Sequence, residues 1–217
     1  MSREEAILLR LLNKYERRWR PRSDDPFKSL IRTILSQNTN YRNEATAFEQ
    51  LETLIGVTPK HLAEAPVEKI AEAIRPAGMY NQRSKVLKAV AREVIERFDS
   101  DIDLVIEMPY DEAREALMGL TGVGPKTADV LLMFNGGNAI IPVDRHIFRI
   151  SKRLKLVPEK ARYEDVKITL EKATPAGKHE DVHVFLIRFG REYCRALNPR
   201  CEVCFLADFC PSMVKLK

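Results

Sequence analysis

Hydrophobic residues recur along this chain three or four positions apart, the spacing of one face of an α-helix, and strict alternation of apolar and polar residues is nearly absent. In residues 2–19, Ser2 and Glu5 have capping-box spacing, and the apolar face that follows comprises Ile7, Leu8, Leu11, Leu12, Tyr15 and Trp19. Further helices are predicted at residues 27–37, 41–56, 58–64, 66–75, 81–98, 110–119, 126–134, 163–173 and 178–190, and directly after Asp144. Residues 100–109 are predicted to form a linker. The pattern therefore predicts an all-α fold.

A tight glycine turn separates two of these predicted helices. It contains Gly122 and Gly124, which can adopt positive φ, and Pro125, which suits the first position of a helix. The backbone amides of such a turn, beside a helix N-terminus, are suited to binding a phosphate group. Lys126 lies in the first turn of the helix, where the macrodipole opposes a cation and so favours the amine that a nucleophile requires.

A single aspartate, Asp144, follows the apolar run Ala139–Val143. The residues alone leave two interpretations open for it and for Lys126. Asp144 can be the N-cap of the helix that begins at Arg145, and Lys126 can be a solvated phosphate contact. Each is also a candidate catalytic group. We expect His183 to pack within a helix, without a chemical role. His146 lies close to Asp144 in the sequence, and its role stays open.

The overall charge is moderately basic, with 36 Lys and Arg against 31 Asp and Glu, a net charge of +5 and a pI of about 9.0. This balance is compatible with a nucleic-acid partner but does not establish one. No run of eighteen apolar residues is present, so no membrane span is expected. The charged N-terminal residues contain no signal-peptide core, and we expect an intracellular protein of the cytoplasm or nucleoid.

All four cysteines lie in the last 24 residues, at Cys194, Cys201, Cys204 and Cys210, with the spacing C-x6-C-x2-C-x5-C. In an intracellular protein such a group indicates a metal site rather than disulfides. Zinc accepts four thiolates, but zinc ribbons usually show two close pairs, and here only Cys201 and Cys204 form one. An iron–sulfur cluster is the other candidate.

Three stretches together resemble the endonuclease III family of helix-hairpin-helix DNA glycosylases: Gly122-Val123-Gly124-Pro125-Lys126, Val143-Asp144-Arg145-His146 and the cysteine spacing. The similarity extends from about Pro26 to Pro211. It implies a two-lobed fold, with a helical barrel at residues 26–137 and a second domain formed by residues 1–25 and 138–217. The second domain would carry a [4Fe–4S] cluster held by the four cysteines.

The resemblance also assigns roles at the site. Lys126 becomes the nucleophile and Asp144 the catalytic carboxylate. Gln37 would enter the gap left by a flipped base, and Met79 would wedge into the base stack, although by itself Met79 is more typical of a core residue. The remaining predicted DNA contacts are the amides of the hairpin turn and three arginines, at Gly122, Gly124, Arg83, Arg195 and Arg200.

The implied function is that of a bifunctional enzyme which removes oxidised pyrimidines from duplex DNA and cleaves the resulting abasic site through a Schiff base. The base must leave the stack to be reached. The expected partner is double-stranded DNA with damaged bases or abasic sites, bound by a monomer. One alternative is a mismatch glycosylase for thymine or uracil opposite guanine, which would lack a lysine at the position of Lys126. The other is a non-catalytic DNA-binding module, which would not need both Lys126 and Asp144.

One further position bears on substrate choice. Adenine glycosylases of the same superfamily carry a catalytic glutamate where this chain has Thr33. Because threonine offers no carboxyl group to protonate a purine leaving group, we expect no release of adenine opposite 8-oxoguanine under conditions in which an oxidised pyrimidine is released. Base release from the two duplexes, measured side by side, checks this. Efficient adenine release would show that this helix is wrongly aligned with the family.

Overall fold

The computed structural model describes residues 1–18 and 25–213 and contains no β-strand among them, which confirms the predicted all-α class. The helices of this part of the chain are α1 (Arg3–Lys14), α2 (Pro26–Leu35), α3 (Tyr41–Leu54), α4 (Pro59–Glu64), α5 (Val67–Ala73), α6 (Tyr80–Phe98), α7 (Asp103–Ile106), α8 (Tyr110–Met118), α9 (Pro125–Phe134), α10 (Arg145–Arg153), α11 (Tyr163–Ala173) and α12 (His179–Glu192). Short 3-10 turns lie at Arg75–Ala77, Cys201–Val203 and Ala207–Phe209. None of the helices described has the length and apolar character that a membrane crossing requires.

The described residues form two compact units. The hairpin unit consists of those within Pro21–Asn138 and contains α2 to α9, and the cluster unit consists of those within Met1–Arg20 and Ala139–Lys217 and contains α1 and α10 to α12. The sequence-based division into residues 26–137 against 1–25 and 138–217 stays a prediction.

The hairpin unit is built around α6, its longest helix, which packs against α4 and α5, while α2 packs against α9 and α8 against α9. The core consists of large aliphatic side chains that these helices bury completely, among them Leu30, Ile31, Leu35, Leu51, Leu62, Ile70, Leu87, Val90, Leu117 and Leu132. The periodicity of the apolar positions therefore corresponds to real buried faces.

The cluster unit is built around α12, which packs against α1 and α10. Aromatic rings fill its centre: the ring centroids of Tyr15 and Phe185 are 5.4 Å apart, and those of Phe189 and Phe205 are 5.2 Å apart. His183 lies on α12 and is 4% exposed, as the predicted packing role requires. The aromatic group ties the C-terminal loop, through Phe205, to the helices.

Helix starts follow the capping signals in the sequence. Ser2 and Glu5 form the predicted capping box. Asp25, Asn40 and Thr58 each accept a hydrogen bond from the backbone N–H three residues later, at the starts of α2, α3 and α4. Proline occupies the first position of α2, α4 and α9, where its missing N–H costs nothing.

Two predicted elements were wrong in extent. Helix α1 ends at Lys14, not at residue 19, because Tyr15 turns into an extended conformation. Its ring then packs on Phe185, and its hydroxyl donates to Glu192 at 2.9 Å. Trp19, predicted to extend the same face, lies outside the described residues. The predicted linker at 100–109 contains the short helix α7, which buries Val105.

Candidate active site and cysteine cluster

The glycine turn between α8 and α9 uses its two glycines in different ways. Gly122 has φ +76°, and a Cβ added there would lie 2.6 Å from Cγ1 of Val86, so both the backbone conformation and the space require glycine. Gly124 does not use positive φ: it is the N-cap of α9, with φ −99° and ψ 178°. A Cβ added at Gly124 would meet nothing within 4 Å, so the backbone there is open to approach.

A side chain of α6 and one that follows the end of α2 hold this turn in place. Glu93 accepts hydrogen bonds from the backbone N–H of Thr121, at 2.7 Å, and from its hydroxyl. Gln37 donates from Nε2 to the carbonyl oxygen of Gly122 at 3.3 Å. Lys126 is half-buried and stands at the second position of α9, directly after Pro125. The hairpin unit thus brings Gln37, the glycine turn and Lys126 together.

Met79 stands out from the surface just before α6. It is the N-cap residue of α6, in the left-handed conformation with φ +51° and ψ 28°, and the residue is 57% exposed. Because non-glycine residues rarely adopt positive φ, the surrounding structure must hold Met79 there. Its exposure excludes the core role that is otherwise typical of methionine.

Arg83 holds the loop that positions Met79. The prediction that Arg83 contacts phosphate was wrong. The residue is 6% exposed, and burial lowers the pKa of its guanidinium below the ordinary value. Its Nη1 donates to the carbonyl oxygens of Ala77 and Gly78, at 2.9 and 3.0 Å, and its Nη2 donates to that of Gln37 at 2.5 Å. Arg83 therefore links the end of α2 to the loop that presents Met79.

Asp144 in the cluster unit is the N-cap of α10, as one of its two interpretations predicted. Its Oδ1 accepts hydrogen bonds from the backbone N–H groups of His146 and Ile147, both at 2.8 Å. Oδ2 receives no hydrogen bond from the described residues. The carboxylate is half-buried. One oxygen therefore fixes the group while the other remains available to a substrate.

His146, beside this carboxylate, lies in surroundings that disfavour its charged form. Burial lowers its pKa below the ordinary value. Nη2 of Arg149 lies 3.0 Å from its Nδ1, which then accepts the hydrogen bond. The ring also lies against Gly190 of α12, where an added Cβ would stand 2.9 Å from Cβ of His146. Close packing of α12 against the start of α10 thus depends on a glycine.

Two arginines of α10 hold the loop that begins at Cys194, and sequence reasoning missed both. Arg149 donates from Nε and Nη2 to the carbonyl oxygen of Cys194, at 3.0 and 2.9 Å. Arg153 donates to the carbonyl oxygens of Arg195 and Ala196, at 2.6 and 3.1 Å, and its Nη1 lies 3.5 Å from Sγ of Cys194. The helix that Asp144 caps is therefore bonded to the cysteine loop.

The four cysteines line one cavity of the cluster unit, with an empty volume of about 400 Å³ that includes open solvent. All four are free and half-buried. The rest of the lining includes apolar side chains, among them Leu154, Phe189 and Met213, and also Arg153 and Arg200. Burial raises the pKa of the Cys204 thiol to about 11, a cost that coordination offsets because a bound metal deprotonates its thiol ligands.

This arrangement fits a [4Fe–4S] cluster better than zinc. Tetrahedral zinc, with Zn–S bonds of about 2.3 Å, brings its four sulfurs to within roughly 3.8 Å of one another. Within residues 1–18 and 25–213, no three His, Cys, Asp or Glu side chains are grouped to hold a single metal ion. A cubane takes four thiolates around a larger core, so ligands that surround a cavity suit it.

The predicted arginine contacts lie on the segment between the first two cysteines. Arg195 and Arg200 are both exposed, and at the tip of the segment Leu197 is 83% exposed. The backbone N–H groups of Arg195 and Arg200 both donate to the carbonyl oxygen of Tyr193, at 2.9 Å, which closes the segment into a loop. The cluster unit thus holds Asp144, the cysteines and both arginines, whereas Lys126, Gln37 and Met79 belong to the hairpin unit.

Comparisons with known proteins agree with these features. Residues 31–176 match the family model of the HhH-GPD superfamily base excision DNA repair protein, and residues 194–210 match the iron–sulfur binding domain of endonuclease III. The chain is 37% identical over 187 residues to endonuclease III of Escherichia coli K12, covering 85% of this chain and 83% of that protein. It is 34% identical over 185 residues to endonuclease III of Sulfolobus acidocaldarius, covering 85% and 81%.

Solved structures give the same relationship. The structure of a non-covalent endonuclease III–DNA complex has a TM-score of 0.86 at 27% identity and covers 99% of this chain and 98% of that one. The protein is therefore a base excision DNA repair protein of the helix-hairpin-helix class. It belongs to the endonuclease III family of DNA glycosylases and abasic-site lyases. Its cofactor is a [4Fe–4S] cluster.

The two glycines of the turn should respond differently to alanine. Gly122→Ala forces a side chain into positive φ and against Val86, so we expect the free energy of unfolding to fall by about 1–3 kcal/mol. Gly124→Ala places its methyl group in open space at an ordinary φ, and stability should stay the same or rise by about 0.4–1 kcal/mol. Chemical denaturation of both variants measures this. Equal losses would mean that the turn does not have the described conformation.

Proposed function

We propose that this enzyme removes oxidised pyrimidines from duplex DNA and cleaves the resulting abasic site, with Lys126 as the nucleophile and Asp144 as the catalytic carboxylate. The observation that carries this proposal is the hydrogen bonding of the Asp144 carboxylate. Two backbone amides fix its Oδ1, and Oδ2 is left without a hydrogen-bond donor among the described residues. A plain N-cap explains the first oxygen, and a catalytic role explains why the second is kept available.

Lys126 would make and break the covalent bonds. Its Nζ attacks C1′ of the sugar, the bond from C1′ to the base breaks, and the base leaves with the electron pair and takes up a proton. The sugar ring opens to an imine on Lys126, since an amine is the group that forms a Schiff base. Loss of a proton from C2′ then expels the 3′ phosphate, and water hydrolyses the imine to free the lysine.

Asp144 would act on the first step. As the bond to the base breaks, positive charge develops on the sugar, and a fixed carboxylate nearby lowers the energy of that state. The amides of His146 and Ile147 hold the carboxylate in one orientation before substrate arrives. The group therefore needs little reorganisation during the reaction.

The target nucleotide must leave the helix before this chemistry, and Gln37 and Met79 are the proposed residues that fill the gap. The exposed, left-handed position of Met79 supports the wedge role. Arg83 positions both residues through its three hydrogen bonds to backbone carbonyls. The amides at Gly122 and Gly124 would hold a phosphate at the start of α9, where the helix dipole favours an anion.

The cluster would be held by Cys194, Cys201, Cys204 and Cys210, and when bound it supplies covalent cross-links that fix the C-terminal loop. Arg195 and Arg200, exposed on that loop, would contact the DNA backbone and position the enzyme without reading sequence. We propose that the enzyme acts as a monomer on duplexes with damaged bases or abasic sites.

Duplexes that carry one lesion each test the proposed substrate class. We expect an oxidised pyrimidine to be released fastest, thymine or uracil opposite guanine slowly or not at all, and a pre-formed abasic site to be cleaved. Base release and strand cleavage are measured separately under single-turnover conditions. Preferential release of mismatched thymine without strand cleavage would favour the mismatch glycosylase instead.

Replacement of Lys126 and replacement of Asp144 should impair the reaction in different ways. Borohydride should trap the wild-type enzyme on a damaged duplex, and Lys126→Gln should abolish the trap while it retains binding, because only an amine forms the imine. Asp144→Asn keeps a capping oxygen, so folding should suffer little. Base release should nevertheless fall about a hundredfold or more, because the negative charge is lost.

A pre-formed abasic site provides the control. Asp144→Asn should lose less activity there, since no base remains to be expelled. Covalent trapping of Lys126→Gln at the wild-type rate would assign the nucleophile to another amine. A melting temperature for Asp144→Asn far below that of the wild type would instead mean that the aspartate acts only as a helix cap.

A further inference from the structure

The segment Ile141–Val143, directly before Asp144, is held by side chains rather than by secondary structure. It belongs to no helix or strand. Ile141 and Val143 are 0% and 5% exposed, and Pro142 is buried as well. Because buried backbone N–H and C=O groups must find partners, the bonds made by this segment show what fixes its path.

Three side chains from α11 and α12 provide these bonds. The backbone N–H of Ile141 donates to Oε1 of Glu171 at 2.8 Å. His183 donates from Nδ1 to the carbonyl oxygen of Pro142 at 2.9 Å, since a carbonyl can only accept. The backbone N–H of Val143 donates to the hydroxyl oxygen of Tyr163 at 3.3 Å. Pro142 itself has no N–H, so both amide donors of the segment are satisfied.

The partner residues are themselves held in place. Nζ of Lys167 lies 3.0 Å from Oε1 of Glu171 and 3.2 Å from Oε2, and the Lys167 side chain is 7% exposed. A buried ion pair that is also hydrogen-bonded restricts both side chains. Oε1 of Glu171 is therefore a fixed acceptor for Ile141, not a mobile surface carboxylate.

Helix α12 holds the chain on both sides of Asp144. His183 binds Pro142, which precedes the aspartate, and Gly190 packs against His146, which follows it. These two α12 residues are seven positions apart, about two helical turns, and so lie on the same face. The backbone that precedes an N-cap residue lies outside the helix and makes no helical hydrogen bonds, so other contacts must fix its path. The direction of the Asp144 carboxylate thus depends on the tether of the preceding segment as well as on the two amides of α10.

We propose that Tyr163, Glu171 and His183 are positioning residues for base release, which fix the path of residues 141–143 and so the direction of Oδ2 of Asp144. This inference rests on the proposed catalytic role of Asp144. None of the three touches the substrate. Their effect is on the geometry of the carboxylate, and a misplacement of about 1 Å can lower a rate about a hundredfold.

Tyr163→Phe tests the tether with the smallest change, because it removes the acceptor for the N–H of Val143 and keeps the ring. We expect the single-turnover rate constant of base release to fall about tenfold or more. The dissociation constant for a damaged duplex should change little, and the melting temperature should fall only by the few degrees that one unpaired buried N–H costs. The matched control is Tyr15→Phe, which also removes a tyrosine hydroxyl bond in the cluster unit, to Glu192, and should leave base release unchanged.

A double-mutant cycle separates positioning from general packing. If Tyr163 acts through the carboxylate, adding Tyr163→Phe to Asp144→Asn should lower the residual base release no further. His183→Asn and His183→Leu give a second comparison, since asparagine keeps an N–H donor near the position of Nδ1 and leucine does not. Base release should be substantially higher for His183→Asn than for His183→Leu.

The outcomes distinguish this inference from the function on which it rests. Wild-type base release by Tyr163→Phe, or an equal loss in the wild-type and Asp144→Asn backgrounds, overturns the positioning role and leaves the catalytic role of Asp144 intact. Wild-type base release by Asp144→Asn overturns the catalytic role, and the positioning role with it. A rate loss by Tyr163→Phe that disappears in the Asp144→Asn background supports both.

Discussion

Every α-helix leaves unpaired amides in its first turn and unpaired carbonyls in its last, and these groups determine where the candidate functional residues of this protein stand. Asp144 satisfies two amides of α10 with one oxygen. Lys126 occupies the first turn of α9, and Met79 caps α6. Gln37 lies just beyond the end of α2. Among the described residues, these candidate functional side chains thus stand at helix ends, where backbone and side-chain polar groups remain available to a ligand.

The C-terminal loop differs from these helix ends, because it has little regular structure of its own. Only two short 3-10 turns interrupt the described residues after α12. The loop is therefore fixed from outside, by backbone carbonyls bonded to Arg149 and Arg153, by Phe205 among the aromatic rings, and by the cluster its cysteines surround. Small loop-rich segments commonly need a metal centre in place of a larger core. We therefore expect the bound cluster to stabilise this loop, irrespective of any redox role.

The sequence predicted the features whose cause is local. Capping residues such as Ser2, the apolar faces of the helices and the cysteine spacing all lie within a few positions of what they determine. Sequence reasoning missed contacts between residues far apart in the chain: the carbonyl oxygen of Gln37 is bonded to Arg83, 46 positions away, and that of Pro142 to His183, 41 positions away. No local sequence pattern predicts such a hydrogen bond. A buried arginine also resembles a DNA-contacting one until its burial is known, which is why the role of Arg83 was misjudged.

The exposed methionine before α6 has a consequence for how the enzyme would search DNA. A thioether carries no donor and only a weak acceptor, and its three rotatable bonds adapt it to irregular gaps. Inserted between base pairs, Met79 would therefore treat every sequence context nearly alike. Its left-handed backbone is already set in the free protein, so on the protein side an insertion would cost only side-chain ordering, about 0.5–1.5 kcal/mol, while unstacking of the DNA would cost about a few kcal/mol more. Insertion of Met79 would thus depend on the stability of the base stack. The enzyme would distinguish a lesion from a normal base only after the base has left the helix.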